Sequence, residues 1–420
     1  MERTNWAGNL DYGAARFHEP RSLEELQQIV HGSRRIKALG SCHSFNSIAD
    51  TDGDLVSMRS LQRPLSLDRE NSTVTVAAGA TYGGLFEPLH REGFALKNLA
   101  ALPHISVGGA IATATHGSGD GNRNLSSSVA AIEFVSADGE LVRLSREDGE
   151  RFRGAVVHLG AIGLLTRVTL DVVPTFDVVQ HVYRRLEHAA LEANFDAILA
   201  TAFSVSVFTN WRDPRFTQVW LKSQVGAAEA LPTGDFFGAS PADRNVHPVI
   251  TEEATCCTPQ MGSVGPWYER LLHFKMGFQP STPSELQTEY FVPRRHGVAA
   301  LHELHGLRDE LAPVLQISEI RTVKADDLWM STAYGEDRVA FHFTWRKDWP
   351  GVARVLPMIE RCLTPYEVLP HWGKLTTMPA ATLQAHCPRL QEFRRLAAEY
   401  DPEGVFRNDY LNTYVFEELL

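Results

Sequence analysis

"KALGSCHSFN", residues 37–46, ends an apolar run in a glycine turn with a histidine at its centre. The residues before it make that run a strand. Ser22-Leu-Glu-Glu25 is a capping box, and Leu23, Leu26, Ile29 and Val30 follow at helical spacing, so a short amphipathic helix leads into a strand over 35–39. Glycine lets backbone N–H groups approach a ligand closely, and several converging N–H groups hold a diphosphate without a cationic side chain. The loop lacks both the glycine spacing and the lysine of nucleoside-triphosphate loops. His43 therefore needs another explanation.

Two more glycine-bearing stretches follow, "PHISVGGAIATATHGSG" (103–119) and "HLGAIGLL" (158–165). Each alone reads as an ordinary tight turn; together they favour an anionic ligand held by backbone. G-x-G-x-x-G and G-x-x-x-x-G-K-[ST] do not occur, which removes the main support for a Rossmann or P-loop site. Gly117-Ser-Gly does not have the spacing of a nucleophile elbow. His302-Glu-Leu-His305 is one residue short of the zincin pattern, so its imidazoles do not align on a helix, and no metal is expected.

At 420 residues the chain is too long for one simple core and is typical of two domains, or of one domain with a large insertion. Its net charge of −11, with no offsetting basic block, argues against nucleic acid. No stretch approaches a membrane span, and MERTNWAGNL lacks the apolar run of a signal peptide. Five scattered cysteines, at 42, 256, 257, 362 and 387, suit a reducing cytoplasm better than a disulfide framework, and the adjacent Cys256–Cys257 reads as a loop coincidence.

"STVTVAAG" (72–79), "VAAIEFVSADGELVRLS" (129–145, a hairpin turning at Ala137-Asp138-Gly139) and "LTRVTLDVVP" (165–174) are strand patterns. After Pro174 longer strands appear, "SVSVFTNW" (204–211) and "FTQVWLKSQV" (216–225), then a Gly/Pro-rich stretch at 226–248. "TLQAHCPRLQEFRRLAAEY" (382–400) reads as helical. The expected partition is 1–174, a β-rich unit over 175–375, and a segment 376–420 that returns to the first.

Three patterns in the middle unit place polar groups on one side of a strand. They are Glu319 and Arg321 in "ISEIRTV", His342 and Thr344 in "VAFHFTW", and Gln287 and Glu289 in "ELQTEYF". Such a surface either faces solvent or recognises neighbouring hydroxyls, with Lys374 of "HWGK" as a further donor.

Together, "GSCHSFN", "LPHISVGGAIATATHGSG", "ELQTEYFVP", "EIRTV", "FHFTW" and "HWGK" resemble bacterial alditol (xylitol) oxidases of the vanillyl-alcohol-oxidase family, and the resemblance runs from "NWAGN" to "DPEG". It implies an α+β, two-domain fold: an FAD-binding domain and a β-rich substrate domain with a large antiparallel sheet. It implies FAD bonded covalently through its 8α carbon to His43. Gly40, Ser41, Cys42, His43, Ser44, Phe45, Asn46, Ser106, Gly109, Ala110, Ile111, Ala112, His116, Gly163, Leu164 and His371 are then the cofactor contacts. Arg321 and Lys374 hold the hydroxyl being oxidised, and Glu319, Gln287, His342 and Thr344 bind the rest of the polyol.

Hydride passes to flavin N5 and O₂ returns as H₂O₂. Where the family carries a serine before "LPHIS" this chain has Ala101, and weaker xylitol binding is expected. Ala100 beside it is small enough for oxygen access. The expected partners are the polyol and O₂, and the chain is compatible with a monomer. An aldonolactone (gulonolactone-type) oxidase, a flavin dehydrogenase and a non-redox polyol-binding protein remain the alternatives. The preferred polyol and the proton acceptor are not legible.

Overall fold

The computed structural model describes residues 3–61, 64–227, 231–278 and 285–417. Residues 228–230 of the Gly/Pro-rich stretch lie outside that set.

The opening helix spans Leu23–His31, and Ser22 Oγ accepts from Glu25 N at 3.2 Å. Glu25 returns its carboxylate to Arg21 N at 2.8 Å rather than to Ser22, so the capping box is shifted by one residue. The next strand, Ile36–Leu39, joins Asp54–Ser57 and Arg16–His18 in a parallel sheet with Asp54–Ser57 in the middle. Buried Asp54 meets Arg16 and His18, each at 2.6 Å.

A five-stranded antiparallel sheet follows, in the order Ser66–Asp68, Thr73–Ala77, Leu164–Asp171, Val129–Val135, Leu141–Ser145. The hairpin over 129–145 forms with Ala131 opposite Ser145, and Gly139 turns it at φ 82°.

The large sheet runs Ser240–Pro241, Asp177–Glu187, Arg215–Gln224, Ser204–Thr209, Leu315–Val323, Arg338–Arg346, Glu285–Pro293, Leu369–Pro370, with Gly265–Pro266 also paired to Asp177–Glu187. All its pairings are antiparallel. Phe341, Phe343 and Trp345 point to one face, where they share a core with Leu301, Leu304, Leu356 and Ile359 of the helices Gly297–Gly306 and Trp349–Leu363. Each such buried side chain contributes about 1.5–3 kcal/mol. That burial fixes the register, and with it the opposite, polar face.

The helix expected over 382–400 is two helices, Ala380–Ala385 and Leu390–Tyr400. Pro388 between them has no N–H to donate and its ring crowds the preceding turn. The tail then meets the N-terminal sheets: Ile36 N donates to Val405 O at 2.9 Å, and Asn408 Nδ2 to Asp50 O at 2.7 Å. No helix among the described residues is long and apolar enough to cross a membrane.

Candidate active site

A cavity of about 830 Å³ runs between the two groups of sheets. One end is bounded by Lys37, His158, Gly160 and Gly163, the middle by residues 40–45 with Ser106, Gly108, Gly109, Ala110 and Ala112, and the far end by the polar face of the large sheet. His43 lies in the middle stretch. Its ring stacks on Trp6 at 5.3 Å, and its Nδ1 lies 2.8 Å from Ser41 O. Burial pushes the imidazole down to about 4, so it is neutral over the physiological range and carries one unprotonated ring nitrogen. The preceding Cys42 takes a left-handed φ of 61°, a conformation that costs a non-glycine residue of order 1–3 kcal/mol and that aims the loop inward.

FAD fits this groove on two observations. Ser106 Oγ is buried in the wall with no hydrogen-bond partner among the described residues. Gly40 and Gly109 flank it and leave it open, since a Cβ on Gly40 would collide with that hydroxyl and one on Gly109 would sit 2.9 Å from it. The groove thus offers backbone N–H groups and one free hydroxyl, the donor set an anionic diphosphate needs. His158 Nε2, at the Lys37 end of the groove, is a second buried polar atom with no hydrogen-bond partner among the described residues.

Three of the expected contacts do not line the cavity. Ile111 is on the inward face of the helix Val107–Ala112 and is fully buried in the main core. Leu164 faces the small core around Leu26 and Phe406, and its strand neighbour Leu165 faces the cavity instead, because alternate residues point to opposite sides. Asn46 turns its amide to Trp372 O at 2.8 Å and Lys374 O at 2.7 Å, bracing the loop rather than bounding the groove. Gly40, Ser41, Cys42, His43, Ser44, Phe45, Ser106, Gly109, Ala110, Ala112, His116, Gly163 and His371 do line it.

At the polar end, Gln287 pairs with Thr344, while His342 lies between Glu289 and Glu319 on the neighbouring strands. The residue that joins the group is Glu289, which is 1% exposed. Its Oε1 accepts from Arg321 at 2.5 Å and its Oε2 from Lys374 Nζ at 2.8 Å. His116 Nε2 comes within 3.1 Å of Oε1 but off the line of a hydrogen bond. Sequence alternation put Glu289 on this face without giving it a role. Among the described residues, buried Arg321 Nε makes no hydrogen bond, and its nearest carboxylate oxygen is Glu319 Oε2 at 3.6 Å.

Burial alone would raise the Glu289 carboxyl, but Lys374, Arg321 and His116 hold it well below the usual range. Glu319 is likewise lowered against its burial, by Arg321 and then His273. Burial lowers the Lys374 ammonium, and Glu289 opposes that loss. Burial also drives His342 well down and His371 to about 3. Two carboxylates thus balance two cations, among neutral imidazoles.

Glu319 has a support the sequence did not reveal. His273 Nε2 lies 2.8 Å from Glu319 Oε1, and Lys222 Nζ lies 3.2 Å from His273 Nδ1. Glu319 is held ionised and can only accept, so His273 Nε2 carries the proton given to it and Nδ1 of the neutral ring accepts from Lys222 Nζ. The other Lys222 donors go to Leu271 O and Leu272 O at 2.6 and 2.8 Å. Ala100 and Ala101 border the same space, and Ala101 O accepts from His273 N at 3.3 Å.

Comparison with known proteins agrees with this geometry. A model of an FAD binding domain matches residues 14–145, and a model of D-arabinono-1,4-lactone oxidase matches residues 279–414. The chain is 46% identical to the alditol oxidase of a Streptomyces sp. over 415 residues, covering 97% of each chain. It is 31% identical to the L-gulono-1,4-lactone dehydrogenase of Mycobacterium tuberculosis over 431 residues, again covering 97% of each. Among solved structures, a cholesterol oxidase from B. sterolicum has the same fold, with a TM-score of 0.78 at 15% identity over 98% of this chain and 96% of that one.

Proposed function

The chain belongs to the alditol oxidase family of vanillyl-alcohol-oxidase-type flavoproteins, and we propose that it oxidises the terminal alcohol of a polyol such as xylitol or sorbitol to the aldehyde. The observation that carries this reading is the buried Glu289–Arg321–Lys374 group, with an unpartnered Arg321 Nε at the end of a groove that fits FAD. When bound, FAD supplies the two-electron acceptor and passes the electrons to O₂ as H₂O₂. The groove belongs to an FAD-binding domain over 1–174, the polar wall to a substrate domain over 175–375, and the tail over 376–420 completes the first.

In this reading Arg321 and Lys374 hold the reacting hydroxyl and lower the cost of its developing alkoxide. Both cations are desolvated, so they act more strongly there than in water. Glu289 keeps them in place and, being held ionised, gives them a fixed counter-charge. Glu319, positioned by His273 and Lys222, accepts hydrogen bonds from adjacent hydroxyls, with Gln287, His342 and Thr344 beyond. The imidazole of His342 is neutral and exchanges hydrogen bonds with a hydroxyl without adding charge. The groups suit an open chain of hydroxyls.

His43 is the covalent tether through the flavin 8α carbon. Its neutrality supports that role, because bond formation needs a free nitrogen lone pair. Precipitating the protein with acid tests it: the yellow colour stays in the pellet for the native chain and passes to the supernatant for His43→Ala. Oxygen uptake with xylitol tests the activity. Turnover of an aldonolactone in preference to xylitol would instead favour the second reading, which the lactone-oxidase match over 279–414 supports. Dye-linked turnover without oxygen uptake would make the chain a dehydrogenase.

A further inference from the structure

The adjacent cysteines that the sequence left as a coincidence acquire a third partner in the fold. His247, Cys256 and Cys257 each present one ligand atom, and the three atoms lie within 4.8 Å of one another. They come from two stretches, and His247 and Cys256 border the cavity that also holds the Glu289 group. We propose that these three side chains form a binding site for one Zn²⁺ ion, in the wall between the cavity described above and a neighbouring one of about 630 Å³. His247 borders both cavities.

The spacing suits the ion. Tetrahedral Zn²⁺ with bonds of about 2.3 Å to sulfur and about 2.0 Å to nitrogen holds its ligand atoms about 3.5–3.8 Å apart. Closing from 4.8 Å therefore takes at most about 1.3 Å of side-chain movement, with the backbone left in place.

Both stretches are already braced. Gln260 pins Val246 through N–H and C=O at 2.9 and 2.8 Å, and Gln218 Nε2 donates to His247 O at 2.6 Å. On the other side Lys275 N donates to Cys256 O at 2.9 Å, and Cys257 N to Ala254 O at 3.1 Å. His247 Nδ1 lies 3.2 Å from Val249 O, and in the tautomer that donates there Nε2 carries the lone pair a metal takes. A second ring nitrogen fixed by backbone is the usual support of a metal-bound imidazole.

The chemistry selects the metal. Two thiolates and a neutral imidazole are soft to borderline donors, which favour Zn²⁺ over Mg²⁺ or Ca²⁺. On one side Cys257 packs among Val182, Phe208, Trp220 and Ile317, and the charges of Lys222 and Lys275 reach its sulfur. Two thiolates exactly offset the charge of one divalent ion, which keeps the complex neutral in that pocket.

The test uses the full chain, stripped of metal and reduced. Zn²⁺ is titrated against a chromophoric chelator, and Co²⁺ is used as a coloured stand-in whose thiolate charge-transfer band reports the sulfur ligands. The expected result is one equivalent bound, with a charge-transfer band that Cys256→Ser weakens and His247→Ala also removes from stoichiometric binding. Cys362→Ser, outside the cluster, leaves both readings unchanged. Failure of the native chain to bind one equivalent overturns the proposal, as does binding that survives in both cluster variants. Cys256 and His247 are only half-buried, so these two variants keep the test informative even where Cys257→Ser does not fold.

Discussion

Replacing Glu289 with glutamine removes one negative charge and almost no volume. In the native chain that carboxylate faces Arg321 at 2.5 Å and Lys374 at 2.8 Å, with Glu319 as the other carboxylate of the group. Breaking a buried pair by removing one partner costs about 3–5 kcal/mol, because a charge is left uncompensated. Lys374 can relieve part of that cost by giving up its proton, which the Arg321 guanidinium cannot do.

Burial already lowers the Lys374 ammonium, and Glu289 is its largest opposing influence, so the variant moves it further down. If about 3 kcal/mol of the cost falls on Lys374, the shift is about two units at 1.36 kcal/mol each. The active form is the ammonium, so the alkaline limb of kcat/KM for xylitol moves about two units toward acid. Oxygen uptake across the pH range reads this directly. The native Glu289 carboxyl lies below its unfolded value, so its stabilising contribution is present above the unfolded pKa and fades as pH falls through the folded one. Glu289→Gln therefore loses stability at neutral pH and little in strong acid. An unmoved alkaline limb, with neutral-pH stability kept within about 1 kcal/mol, would refute the assignment of Glu289 as the counter-charge.

Ala101→Ser restores a hydroxyl beside the polyol, and a hydrogen bond worth about 0.5–1.5 kcal/mol lowers KM for xylitol about two- to tenfold. Unchanged KM values for xylitol, sorbitol and glycerol would contradict that placement. His273→Ala frees the Glu319 carboxylate from its 2.8 Å donor. Its effect falls mainly on KM for longer polyols rather than on flavin loading, and equal losses with every substrate would make His273 merely structural. Acid-stable flavin attachment to cofactor-free protein stays level as pH falls past 6.5 and declines only near 4, because burial keeps the His43 imidazole unprotonated to about that value. A decline centred near the ordinary histidine pKa, measured as pelleted flavin against pH, would argue against a buried nucleophile.

The sequence was legible where one local rule sufficed. Period-two alternation placed Gln287, Glu319, Arg321, His342 and Thr344 on one face, and the structure seats them on adjacent strands of one sheet. Alternation does not give register, so the meeting of Glu289, Arg321 and Lys374 was not visible, although Glu289 was noted on the right side. Lys222 carried a faint signal as the one cation inside a strand whose residues from Phe216 to Ser223 are all buried. His273 carried none, because it arrives from a connection between elements and only the fold brings it to Glu319. The misplaced contacts, Ile111 and Leu164, share a cause. Both sit next to residues that do reach the groove, Ala110 and Ala112 for one and Gly163 and Leu165 for the other, and a one-residue step in a helix or strand turns the side chain away.

The His43 loop and the polar wall of the large sheet are one mechanical unit. Phe45 N donates to Gly373 O at 2.8 Å, and the Asn46 amide spans Trp372 O and Lys374 O. Gly373 N in turn donates to His371 Nδ1 at 3.0 Å, and Lys374 ends on Glu289. A continuous set of short hydrogen bonds thus runs from the residues after His43 to the buried cation Lys374. On the other side Asn5 Nδ2 donates to Ser44 O at 2.9 Å, which fixes the loop from outside. Reaction between a bound cofactor and a bound alcohol depends on their separation to within about an ångström. A loop that both carries His43 and braces Lys374 sets that separation through hydrogen bonds that tie its backbone to the wall. The left-handed turn at Cys42 is held on both sides, by Ser106 N donating to Ser41 Oγ at 2.9 Å before it and by the Phe45 and Asn46 contacts after it, so relaxing its strain would displace His43 and Lys374 together.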